Sequence, residues 1–135
     1  MAVVVGTPLE VFGFASATGP SYQSPASNKV QHAFVTVQWT SGTYAQGAGA
    51  ASFNPAALIQ SERNNGKTVT VRTACWVSPG DENGTIMSTG PCTVSANVVS
   101  CQLYGQDQTT EHANAAMNAV WGRPPCFCVT FTEAV

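Results

Sequence analysis

Two histidines and five cysteines are the side chains best suited to chemistry near neutral pH in this 135-residue chain. His32 opens a strand-like run and reads as an ordinary strand residue. His112 follows Glu111 on a possible helix, where neighbours in sequence point in different directions, so adjacency alone does not make an acid–base pair. Cys75, Cys92, Cys101, Cys126 and Cys128 are odd in number, and the chain starts without an export signal. Both features argue against a disulfide framework. The expected role of these cysteines is that of small buried hydrophobes. In an alternating strand, Cys126-Phe127-Cys128 puts both sulfurs on one face. Zinc sites more often separate such ligands by two to four residues, so a Cys126/Cys128/His112 site is not expected.

Other reactive patterns are equally thin. No GxSxG elbow occurs to expose a serine nucleophile. The carboxylates fall mostly in turns or at strand ends rather than as a cleft pair. Gly47 and Gly49 make a GxG without the third glycine or the acidic ribose partner of a dinucleotide fold. Asp81-Glu82-Asn83-Gly84 lacks the regular oxygen spacing of a calcium loop and reads as a solvated turn. Trp39, Trp76, Trp121, Tyr22, Tyr44 and Tyr104 could build a carbohydrate platform, but strand placement of Trp39 and Trp76 favours packing. The chain is therefore not expected to be an enzyme, and no metal or cofactor is expected.

Charge is scarce. The chain holds 5 Lys and Arg and 7 Asp and Glu, a charged share of 9%, against 42 Ser, Thr, Asn and Gln. Soluble domains average about a quarter charged. The basic residues Lys29, Arg63, Lys67, Arg72 and Arg123 are dispersed, leaving neither the cationic footprint of a nucleic-acid binder nor a polybasic membrane patch. No apolar run approaches a membrane span of about 18 residues. Residues 1–5 lack the basic and apolar regions of a signal peptide, so a reducing cytoplasm is the expected site of synthesis.

The elements that would position these residues are mostly strands. Valine outnumbers leucine and isoleucine together, 16 against 5, and its stiff side chain suits a pleated sheet. Residues 1–29 are rich in Gly, Ala, Ser and Pro and read as an extended N-terminal arm, with a short strand possible near Leu9-Glu10-Val11-Phe12. Residues 30–135 form one domain. Over 30–40, Ala33, Val35, Val37 and Trp39 alternate with Phe34, Thr36 and Gln38, the period of a half-buried strand. A second strand is expected around 43–46. Asn54-Pro55 starts a helix over 56–63, ended by Asn64-Asn65-Gly66. Residues 67–77 form a strong strand. Shorter ones follow over 85–88, 92–95 and 98–104. Residues 107–120 read as a second helix, and 126–132 as the closing strand with Phe127, Val129 and Phe131 on one face. Turn signals recur every 8 to 12 residues or so. The expected fold is all-β, an antiparallel β-sandwich or jelly-roll-like barrel, with one or two short helices in long connections.

This organisation resembles that of tailed-bacteriophage capsid cement, or decoration, proteins. The resemblance lies in the Gly/Ala/Ser/Pro-rich start, the 30–40 strand followed by Ser41-Gly42-Thr43-Tyr44-Ala45-Gln46, and the helix start Phe53-Asn54-Pro55-Ala56-Ala57. It extends through Asn65-Gly66-Lys67-Thr68-Val69, Pro79-Gly80-Asp81-Glu82-Asn83-Gly84 and Thr110-Glu111-His112-Ala113-Asn114-Ala115. It implies a non-enzymatic structural protein on the capsid exterior of the virion, made in the host bacterial cytoplasm. Its partners would be the major capsid protein and copies of itself, with no nucleic acid and no membrane. Few charges fit such a role, because burying them against protein is costly. The expected contacts are the arm, including Tyr22, and a loop-and-helix end near Tyr44, Phe53 and Trp121. Two other roles fit the same residues: a tail or head-completion protein, or a carbohydrate-binding β-sandwich.

Overall fold

The computed structural model describes residues 3–16, 30–45, 47, 50–64, 66–78, 88–104, 111, 115–116 and 124–134. Along the chain come β1 (Val3–Val5), β2 (Thr7–Ser16), β3 (Gln31–Gln38), β4 (Thr43–Tyr44) and β5 (Ala50–Phe53). Helix α1 (Ala56–Arg63) precedes β6 (Thr68–Ser78), β7 (Ser88–Thr89), β8 (Thr93–Ser95) and β9 (Val98–Cys101). The last strands are β10 (Leu103–Tyr104), β11 (Ala115–Ala116) and β12 (Cys126–Ala134). The molecule is mainly β.

Two four-stranded sheets carry the architecture, ordered β2-β3-β12-β6 and β1-β5-β9-β8. The first is antiparallel throughout. In the second, β1 runs parallel to β5 while the other pairs are antiparallel. Two-stranded pairings of β10 with β7 and of β11 with β4 complete the described ladders. Period-two patterning sets the core. Ala33, Val35 and Val37 of β3 and Phe127, Val129 and Phe131 of β12 are fully buried. They share one cluster with Phe53, Val99 and Cys101 of the other sheet. The Phe53 and Phe127 rings meet across it at 4.8 Å, and Trp39 packs edge-on against both.

The chain changes sheets at Gly6. A Cβ there would sit 2.6 Å from the Trp39 ring and 2.7 Å from Val37, so only glycine passes. Helix α1 has the bounds its sequence sets. Asn54 Oδ1 accepts the Ala56 N–H at 3.0 Å, and Asn64 ends the helix in the left-handed region at φ 45°. Ile59 is fully buried. At its last turn Arg63 forks onto Glu133 (Nη2 to Oε1 3.0 Å, Nε to Oε2 3.2 Å). Gln31 Nε2 also donates to Glu133, which is 2% exposed, so β3, α1 and β12 are tied at one buried carboxylate.

Several expectations are corrected. The first half of the N-terminal segment is no arm: Val3–Val5 and Thr7–Ser16 are strands of the two sheets. Pro8 and Gly13 disguised β2, yet Pro8 is tolerated because β2 is an edge strand, and Gly13 takes φ 66° at a register shift. Residues 17–29 lie outside the described residues, but the structure fixes their ends. Ser16 and Gln31 are register partners, so this stretch joins two adjacent antiparallel strands rather than hanging from a terminus. Residues 50–53, given no strand by the sequence, form β5. The helix expected over 107–120 is replaced at Ala115–Ala116 by a strand pairing with Tyr44 and Thr43. Glu111 bridges to Tyr104 and is held by distant donors, so non-local pairing overrides local helix propensity. The turn at 81–84 lies outside the described residues.

Candidate interaction face

Tyr44 and Phe53, expected as contact residues, are 1% and 0% exposed. They are core residues, and the reason is geometric. Phe53 fills the space between Trp39 and Phe127. The Tyr44 hydroxyl accepts the Leu103 N–H at 3.1 Å and donates to the Glu111 carboxylate, which also accepts the Gly47 N–H at 2.8 Å. Burial, and then the Glu111 carboxylate, push the Tyr44 hydroxyl far above the usual phenol range, against the opposing pull of the Leu103 amide. Tyr22, Trp121 and His112 lie outside the described residues.

The aromatic platform is likewise not assembled from its strand members. Trp39 is buried with Nε1 donating to the Val4 carbonyl at 3.3 Å. Trp76 is register partner to Phe127 and packs inward against the core.

What the structure does bring together is a row on the other face of the β2-β3-β12-β6 sheet. Phe12 of β2 is register partner to Phe34 of β3, Phe34 to Cys128 of β12, and Cys128 to Cys75 of β6. These four side chains cross the full width of the sheet on its outer side. Phe12 is 47% exposed, Cys75 is exposed, and Phe34 and Cys128 are half-buried. The two rings stack at 5.7 Å, and His32 meets the Phe34 ring edge-on at 6.1 Å. Gly13 makes room for this, since a Cβ there would lie 2.7 Å from the Phe34 ring.

The flanking rows are small and neutral over most of their length. Glu10, Thr36 and Cys126 are register partners on one side. His32, Thr130 and Thr73 are partners on the other, where the Thr73 N–H donates to Thr130 Oγ1 at 3.1 Å. Burial raises the Cys128 and Cys126 thiols above their ordinary range, Cys128 being pushed further by Cys75 and Cys126 by Cys128. Among the described residues, Glu10 lies toward one end, and Arg72, whose Nε donates to Thr132 Oγ1 at 3.0 Å, lies beyond the third row.

An exposed sheet face normally carries charged side chains, which discourage association. Here an aromatic and sulfur stripe sits between threonines. With strands about 4.8 Å apart and about 3.3 Å per residue, a face of this kind offers roughly 400–500 Å². The arrangement suits packing against another protein. Glu133 and Glu111 are both engaged in structural bonds. Among the described residues no group of three His, Cys, Asp or Glu converges as a metal set.

The sequence carried one signal for this face: Phe34 stands in the outward phase of a strand whose inward phase is already apolar. Phe12 and the cysteines needed the register, which no local pattern supplies. The expectation of buried cysteines holds for Cys101, while Cys92, Cys126 and Cys128 are half-buried and Cys75 is exposed. No helix among the described residues is long and apolar enough to cross a membrane.

No family model, curated protein or solved structure matches this chain.

Proposed function

We propose that this chain is a non-enzymatic structural protein of a tailed-phage virion, a capsid cement protein that docks on the major capsid protein and on its own copies. The observation that carries the reading is the outer face of the β2-β3-β12-β6 sheet. It is apolar in its central row and neutral over most of the flanking rows. Burial of this face would cost little charge desolvation and would be insensitive to salt. The segment-by-segment resemblance to cement proteins points the same way.

Within this reading the fold is a jelly-roll-like β-sandwich. Its support is the strand order: the C-terminal β12 inserts between β3 and β6, and the chain passes from β1 to the β2–β3 pair, back to β5, across to β6 and back to the β8–β9 hairpin. A stable specific interface buries about 800 Å² per partner, more than the face alone supplies. Residues 17–29, a long connection between two paired strands, are the proposed source of the remainder.

The test is the abundance of the chain in purified virions, measured by quantitative mass spectrometry and cryo-electron microscopy. Hundreds of copies distributed over the shell are expected. A ring of six or twelve copies would overturn the cement reading in favour of a tail or head-completion part. Absence from particles would overturn the virion reading altogether.

A further inference from the structure

The cysteines are not scattered once the strands are paired. Ser95 and Val98 close the β8–β9 hairpin, and the two residues between them, Ala96 and Asn97, both have positive φ (50° and 68°). This is the two-residue turn whose twist matches the flanking strands. Such a turn makes Ser95 and Val98 a hydrogen-bonded pair, after which the pairs alternate. Val94 and Val99 are then non-bonded, Thr93 and Ser100 bonded, and Cys92 and Cys101 come next outward. Gly90 donates to the Gln102 carbonyl at 2.9 Å, in the register that pairs Thr89 with Leu103, so Pro91 and Cys92 together oppose Cys101 as a β-bulge. Cys92, next to the Thr93–Ser100 pair, thus lies across from Cys101. A disulfide spans Cβ atoms about 3.5–4.5 Å apart.

The geometry points to Cys92 and Cys101 as a built disulfide site that closes on exposure to a small-molecule disulfide such as oxidised glutathione. A hydrogen bond between the two thiols favours the Cys92 thiolate and, together with burial, disfavours ionisation of Cys101. Cys101 is 4% exposed and Cys92 half-buried, so Cys92 is the sulfur that a reagent reaches first. Its thiolate attacks one sulfur of the reagent, whose S–S bond breaks, and one small thiolate leaves and takes a proton from water. Cys101 then gives up its proton to solvent and attacks the Cys92 sulfur, expelling the second small thiol. Two protein thiols are oxidised and one small disulfide is reduced to two thiols. The bond staples the β8 edge of the second sheet to β9, and it would form when the protein leaves a reducing compartment.

Cys75 and Cys128 are also register partners, but the Thr73 N–H points toward β12 at Thr130. That phase makes Cys75 and Cys128 a hydrogen-bonded pair with more widely spaced Cβ atoms, although their thiols also hydrogen-bond. The test therefore uses the full-length Cys75→Ser protein, treated with oxidised glutathione at neutral pH, followed by free-thiol counting and non-reducing peptide mapping. The expected result is loss of two thiols, an intact mass lower by two hydrogens, and one Cys92–Cys101 linked peptide. Adding Cys92→Ser should abolish the link, and adding Cys101→Ala should leave a glutathione adduct on Cys92. Retention of every thiol by the folded Cys75→Ser protein, or a link joining Cys126 or Cys128 instead, would overturn the assignment.

Discussion

The two faces of the β2-β3-β12-β6 sheet are made from the same strands and differ in one respect. On the inner face every described position of β3 and β12 from Ala33 to Val37 and from Phe127 to Phe131 is sealed against the opposite sheet. On the outer face the alternate positions hold Phe34, Cys126 and Cys128 among threonines, and these are only half-buried. Inner apolar residues are explained by the fold. Outer ones are not, because a sheet that ends in water is served better by charge. Phe12 and Phe34 add little to the core yet stack in the open, which is why the outer face carries the functional reading.

This contrast can be broken by mutation, and the largest effect is expected inside. Phe127→Ala empties a site between Phe53 and Trp39 and should cost about 3–5 kcal/mol in chemical denaturation. A loss under about 1 kcal/mol would mean that the two sheets do not share a packed core. Next comes Tyr44→Phe, which removes the hydroxyl shared by the Leu103 N–H and the Glu111 carboxylate. About 1–3 kcal/mol should be lost.

The same hydroxyl sets a pH limit. The fold raises the Tyr44 ionisation above the unfolded value, so its contribution is complete below the unfolded pKa of about 10 and is lost as pH rises beyond it. Ultraviolet titration should show a tyrosine component that ionises only as the protein unfolds in alkali, and Tyr44→Phe should remove it. The smallest stability effect belongs outside. Phe12→Ser on the exposed edge should shift stability by less than about 1 kcal/mol, within the range of surface substitutions, and equal loss at Phe12 and Phe127 would erase the distinction between the faces.

Those elements whose patterns are local were legible in the sequence. The alternation in β3 and β12 placed Ala33, Val35, Val37, Phe127, Val129 and Phe131 correctly, and Asn54-Pro55 with Asn64 bounded α1. Pairing was not legible. Val3–Val5 is too short to read as a strand, and its partner Ala-Ala-Ser-Phe at 50–53 has little β-propensity; each is a strand because the other is beside it. Small residues suit that contact, where Ser52 Oγ donates to the Val4 carbonyl at 3.3 Å. Tyr44 and Phe53 looked like end-of-sheet contacts because they flank glycine-rich and helical segments, and only the closure of the two sheets turns them inward. Beyond Phe34 the outer row is hidden for the same reason, since its members come from four different strands.

The central claim is that this outer face binds the shell while the inner face makes the fold. Co-sedimentation of Phe12→Lys and of the Phe12→Lys/Phe34→Lys double variant with capsid shells lacking the chain tests it most directly, with circular dichroism confirming the fold. At least about a tenfold loss of affinity, equivalent to about 1.4 kcal/mol, is predicted for the single variant, with a larger loss for the double. Wild-type binding by a folded double variant would contradict it.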